Sequence, residues 1–187
     1  MDPCRIEIIL GCMYSGKSTE LIRRCGRYQA IDKNVLLINH SLDTRTTNKV
    51  QTHNKMTMDA YKTNKLMSNL SIYEDVDIIG IDEAQFFEDL FEFIQYIDQK
   101  QDKIVILAGL DGDSNREPFG HLLRCIPYCD EVTKLSAMDM VDKDGSLGIF
   151  TKRIVHNSDK ILVGAQDCFI AVSRKNYSKE LKKSSTE

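Results

Sequence analysis

The stretch "GCMYSGKS", residues 11–18, follows the apolar run "IEIIL" (6–10) and leads into "TELIRRCGRYQ" (19–29). Its spacing is Gly-x-x-x-x-Gly-Lys-Ser, with Gly11, Gly16, Lys17 and Ser18 in the fixed places. A turn of this length between a strand and a helix aims backbone N–H groups inward, where they can surround a phosphate. A side chain at either glycine would obstruct that path or the dihedrals it needs. Lys17 adds a positive charge for the terminal phosphates, and Ser18 a hydroxyl for Mg²⁺. The whole loop, Gly11, Cys12, Met13, Tyr14, Ser15, Gly16, Lys17, Ser18 and Thr19, is therefore expected to hold the nucleotide, with the helix from residue 17 directing its positive end at the anion. Cys12, inside the loop, is read as a tolerated small residue rather than a reactive thiol.

The rest of the chain has the texture this loop demands. Residues 5–10, 34–39, 76–82, 103–110 and 131–135 read as buried strands rich in Ile, Val and Leu. Residues 17–31 read as a helix, as do 88–99, with Leu90, Phe93, Ile94 and Ile97 on one face, and 118–126, started by Pro118. Strands alternating with helices imply an α/β fold with a parallel sheet covered on both faces. Residues 40–65 are polar and read as an irregular, flexible loop. After about residue 136 short β runs, turns at Lys143-Asp144-Gly145 and Asn157-Ser158-Asp159, and no helix suggest a small β lobe. The expected organisation is a phosphate-loop domain over 1–136, the β lobe over 137–177, and a disordered basic tail over 178–187.

Composition limits the function classes. The chain has 187 residues, 42% hydrophobic and 28% charged, with a net charge of −3. That suits one soluble domain plus a small appendage and offers no positive field for nucleic acid. No run approaches the ~18 apolar residues of a membrane span, and the N-terminus lacks signal-peptide architecture. Six cysteines form no Cys-x-x-Cys pair, so reduced thiols and a cytoplasmic location are expected.

A second motif, "DIIGIDEAQFF" (77–87), ends a strand in Asp82 and Glu83. Asp82 can hold Mg²⁺ through water, and Glu83 can accept a proton from an attacking oxygen. The competing reading is an acidic pair capping the helix at 88–99. Phe86 and Phe87 can stack on a base or simply fill the core. In "SLDTRTT" (41–47), Asp43 and Arg45 can bind a sugar hydroxyl and balance a transferring phosphoryl group. Water as the attacking group would make an ATPase; a bound alcohol would make a small-molecule kinase. A catalytically degenerate nucleotide-binding subunit of an oligomer is a third alternative.

Taken together, "GCMYSGKSTELIRR", "DTR" (43–45), Thr52-His53, "IGIDEAQFF", "GLDG" (109–112), "REPF" (116–119), "TKL" (133–135) and "TKR" (151–153) resemble the type II, thymidine kinase-1-like family of thymidine kinases over about residues 5–177. The resemblance implies a RecA-like α/β domain with a small lobe carrying a lasso loop, here about 161–172, and a homotetramer. It implies ATP, Mg²⁺ and thymidine as cofactors and substrate, with thymidine triphosphate a candidate feedback inhibitor. By position, Lys17 and Ser18 would serve ATP and Mg²⁺, Glu83 would be the base on the 5′-hydroxyl, and Arg45 would assist the phosphoryl group. Met13, Asp43, Phe86, Leu110, Phe119, Leu162, Gly164 and Phe169 would line the nucleoside site.

The sequence also departs from the family pattern. Where the family's lobe carries two Cys-x-x-Cys pairs for zinc, this chain has Asp139, Asp142, Ser173 and Asn176. These lack the thiolates zinc prefers, so no structural zinc is expected. Ala84 replaces a glycine, no aromatic follows "DG", and Phe169 replaces an aromatic that carries a hydroxyl. The phosphate chemistry thus looks intact, while the lasso is expected to be ordered mainly by its ligand.

Overall fold

The computed structural model describes residues 3–43, 49–51, 57–155 and 168–179. Its strands are β1 (Arg5–Gly11), β2 (Val35–His40), β3 (Lys49–Gln51), β4 (Thr57–Asp59), β5 (Tyr61–Thr63), β6 (Ile78–Asp82), β7 (Ile104–Gly109), β8 (Glu131–Leu135), β9 (Ala137–Met138), β10 (Leu147–Gly148), β11 (Phe150–Arg153) and β12 (Phe169–Val172). The helices are α1 (Lys17–Gln29), α2 (Leu90–Ile97) and α3 (Arg174–Tyr177).

Six strands form one parallel sheet in the order β5-β2-β6-β7-β1-β8. This is the RecA-like α/β arrangement the sequence implied: one strand, β7, lies between the phosphate-loop strand β1 and the acidic strand β6. Side-chain alternation divides the core into two layers. Ile6, Ile8, Leu10, Ile79, Ile81, Val105 and Leu107 pack with Leu90, Phe93, Ile94 and Ile97 of α2. Ile9, Leu37, Ile106 and Ala108 pack on the other face with Leu21, Ile22 and Cys25 of α1. Glu7 points to that second face and is buried, but Arg24 of α1 pairs with it at 2.5 Å and Arg5 at 2.9 Å. A buried carboxylate is tolerable only with such partners.

Three expectations are corrected. Within 40–65, β3 and β4 form an antiparallel pair, and β5 adds an edge strand beside β2. Edge strands are short and polar, so they carry little of the apolar signal that marks the central ones. The helix expected over 118–126 is instead a 3₁₀ helix over Leu122–Tyr128. Pro118 bridges to Gly112 rather than starting a helix, and Pro127, which has no N–H to give, lies inside the 3₁₀ segment. The third correction is α3, which stands in a region expected to be free of helix. The turn at 157–159 and most of the tail lie outside the described residues. No helix among those described is long and apolar enough to cross a membrane. All six cysteines are free thiols.

Beyond β8 the chain forms two antiparallel pairs, β9–β10 and β11–β12. Asp139, Asp142, Ser173 and Asn176 come together there. Asp139 is buried; its Oδ1 accepts from the backbone N–H groups of Val141 (2.8 Å) and Asp142 (2.9 Å), its Oδ2 from that of Ser173 (2.5 Å). The Asn176 amide donates to both oxygens at 3.1 Å. Lys175 pairs with Asp142 at 2.8 Å, and Lys152 caps the carbonyls of Asn176 and Tyr177. One carboxylate thus fastens β9 to the start of α3.

Burial acts to raise the Asp139 pKa, but hydrogen bonds from Ser173, Asp142 and Asn176 outweigh it and hold the carboxyl well below the usual range. A depressed pKa stabilises the fold above the unfolded value, about 3.9, and that stability is lost as pH falls through the folded value. Asp139→Ala should lower unfolding free energy by about 2–4 kcal/mol in urea titrations at neutral pH, because several buried donors lose their acceptor. The gap between wild type and variant should narrow only well below pH 4. A change under about 0.5 kcal/mol would show that the cluster is not a fastening.

Candidate active site

The carboxyl ends of the parallel strands meet where β1, β6 and β7 terminate. Gly11 closes β1 with φ 156°, and a Cβ there would lie 2.5 Å from the Leu135 carbonyl. Gly16, at φ 86°, turns the chain into α1. The first intrahelical bond runs from Glu20 N–H to the Gly16 carbonyl, so the N–H groups of Lys17, Ser18 and Thr19 precede the helical ladder. They are the donors a helix start offers to an anion.

The loop is tied down from within and from the β lobe. Ser15 Oγ donates to the Cys12 carbonyl at 2.8 Å, and Lys17 Nζ to the same carbonyl at 2.6 Å. Met13 N–H donates to Thr151 Oγ1 on β11 at 3.0 Å, and the Cys12 thiol to the Gly148 carbonyl at 3.1 Å. Burial lowers the pKa of Lys17, opposed by the nearby charges of Glu83, Cys12, Asp82 and Asp111.

Ser18 Oγ donates to Asp82 Oδ1 at 3.0 Å, joining α1 to the tip of β6. The helix-cap reading of the acidic pair does not fit, since the residue preceding α2 is Asp89. Glu83 instead has a left-handed backbone, φ 51°, and opens the 3₁₀ turn Ala84–Phe86. A non-glycine residue held there is a constraint typical of functional sites.

The expected nucleoside residues, and Phe87 beside them, have different surroundings. Phe86 and Phe119 meet edge to face with centroids 5.5 Å apart, and His40 stands 5.8 Å from Phe86. Phe87 is fully buried and belongs to the core. Asp43 is buried, its Oδ2 accepting from Asn39 Nδ2 at 2.8 Å and its carbonyl accepting from Lys62. Leu110 extends from the end of β7. Phe169 pairs across the strands with Arg153, whose guanidinium lies 5.3 Å from its ring. Arg45, Leu162, Gly164, Thr52, His53 and the lasso over 161–167 lie outside the described residues.

Sequence reasoning missed Asn39, Gln85, His40 and Thr151, all buried around this edge. A polar residue at the carboxyl end of a buried strand was the available signal for Asn39 and His40.

A family model described as thymidine kinase matches residues 4–177. The chain belongs to the thymidine kinase family. It is 40% identical over 181 residues to the thymidine kinase of Raccoon poxvirus, covering 96% of this chain and 100% of that protein. It is likewise 40% identical over 178 residues to the thymidine kinases of Vaccinia virus (strain Western Reserve) and Monkeypox virus, covering 95% of this chain and 98% of each. In this family member the loop after β1 carries a cysteine whose thiol pKa is raised by burial, against the lowering influence of the Ala137 backbone and Lys17. Cys12 should therefore resist alkylation. With iodoacetamide at pH 8, peptide mapping should show Cys12 reacting more slowly in the folded protein than in urea, since burial disfavours the thiolate and blocks access to it. Equal rates would show that the Cys12–Gly148 contact is not formed in solution.

Proposed function

We propose that this chain transfers the γ-phosphoryl group of ATP to the 5′-hydroxyl of thymidine, giving thymidine monophosphate and ADP, a salvage step for DNA synthesis. The observation that carries this reading is the Ser18–Asp82 contact with Glu83 as the next residue. It puts a candidate base one residue from the nucleotide loop's partner and in the same turn as Phe86. Membership of the family supports the substrate pair.

In this mechanism the N–H groups at the start of α1, from Lys17 to Thr19, cradle the phosphates, and Lys17 places its charge on the terminal ones. Glu83 takes the proton of the 5′-hydroxyl as that oxygen attacks in line, and Arg45 balances charge on the phosphoryl group in flight. Met13, Asp43, Leu110, Leu162, Gly164 and Phe169 hold the nucleoside, with Phe86 and Phe119 as the aromatic wall for its base. Ser18 and Asp82 fit Mg²⁺: both offer hard oxygens, and this ion needs only one or two protein oxygens beside phosphates and water. Bound there, Mg²⁺ would supply charge neutralisation on the phosphates.

The wider reading has a phosphate-loop domain over 1–136 and a lasso-bearing lobe over 137–177 that holds no zinc, assembled as a cytoplasmic homotetramer. Thymidine triphosphate would act as feedback inhibitor.

ADP release measured across a nucleoside panel tests the reaction. Stimulation by thymidine supports it, constant release indicates an ATPase, and none indicates a degenerate subunit. Glu83→Gln keeps the shape but not the proton acceptor. Its kcat should fall about 10²–10⁴-fold with ATP binding retained. A variant within threefold of wild type would remove Glu83 from the mechanism.

A further inference from the structure

Gln85 is 3% exposed, yet its side chain lies along the wall of the site. The amide oxygen Oε1 accepts from the backbone N–H of Leu110 at 3.0 Å, and Nε2 donates to Glu83 Oε2 at 2.7 Å. A backbone N–H can only donate, so the first bond fixes which end of the amide is oxygen. The NH₂ is thereby obliged to face the Glu83 carboxylate. Gln85 cannot readily swing away. A Cβ on Gly109 would lie 2.5 Å from its Oε1, and one on Gly120 2.1 Å from its carbonyl oxygen. The side chain and backbone of Gln85 are thus packed between the end of β7 and the segment carrying Phe119.

We infer that Gln85 is a positioning residue for Glu83, coupling the orientation of that carboxylate to the Leu110 backbone. This rests on the reading of Glu83 as the base. By engaging Oε2, the amide holds the plane of the carboxylate. Leu110 and Phe119 stand among the proposed nucleoside residues, and Gln85 touches the backbone on both sides of that wall. The base is therefore registered to the pocket that carries the hydroxyl it deprotonates.

Two variants test this. Gln85→Met keeps approximate volume and loses both bonds. Its kcat should fall about 10–10²-fold, the cost of a misplaced reacting group, with KM for ATP within threefold. In a Glu83→Gln background the same change should cost less than threefold, because there is no base left to position; a purely structural role would cost the same in both backgrounds. Gln85→Glu keeps the acceptor for Leu110 but sets a second carboxylate against Glu83. Its kcat should fall at least as far as that of Gln85→Met, with KM for ATP within threefold. The loss should shrink in the Glu83→Gln background, where the introduced amide can donate to the new carboxylate.

A Gln85→Met or Gln85→Glu enzyme within threefold of wild type, or equal losses in both backgrounds, would each overturn the inference. If Gln85→Met fails to fold, Gln85→Glu compared in the two Glu83 backgrounds decides alone. Should wild type hydrolyse ATP without response to thymidine, the substrate reading fails. The same variants assayed on that hydrolysis then decide the role of Gln85 separately.

Discussion

The hydrogen bond from Ser18 to Asp82 spans two strand ends that are not neighbours in the sheet. β7 lies between β1 and β6, so the contact bridges roughly 10 Å of sheet at the strand spacing. It can form only if the loop after β1 rises over the end of β7 and α1 begins at Lys17. Gly11 and Gly16 permit that path, and Gly80 on β6, which would bring a Cβ within 2.7 Å of the Cys25 sulfur, lets α1 lie close on the sheet. The helix start, its anion-binding donors and the acidic strand tip are held in one frame by this contact and by the α1 layer beneath it.

The central strands at 5–10, 34–39, 76–82 and 103–110 were legible because they read as apolar runs and lie largely buried; 131–135 also reappears, as a partly exposed edge strand. The α2 face was legible for the same reason. What was hidden lies where polar contacts decide. β5 is an edge strand of Tyr, Lys and Thr, and its pairing with β2 is a backbone property. The helix expected over 118–126 failed because Gly120, at φ 61°, breaks the run before Leu122. The phosphate loop and the acidic pair were visible as motifs, since their chemistry depends on local spacing. Gln85 and Asn39 were not, because each acts through a partner brought near only by folding.

The cluster at Asp139 shows how a lobe can be fastened by hydrogen bonds at the four positions that the resemblance would align with zinc cysteines. One carboxylate receives three backbone donors and an amide, and Ser173 and Asn176 belong to the turn and helix that close the lobe. The four positions assemble even though none is a thiol. Strand and helix geometry, set by β9, β12 and α3, therefore brings them together, and the side chains then lock what the backbone has arranged.

The two bonds from the loop to the β lobe, Met13 N–H to Thr151 and the Cys12 thiol to Gly148, have a thermodynamic consequence. The backbone of the loop that the sequence marks for phosphate is hydrogen-bonded on its other side to β10 and β11. Any free energy with which an occupant of the loop shifts that backbone is shared with the lobe, and linkage requires the lobe's occupant to return the same amount. The two substrates would then bind as a coupled pair, each raising or lowering the other's affinity by an equal factor. That coupling would run through two hydrogen bonds that touch neither reacting atom.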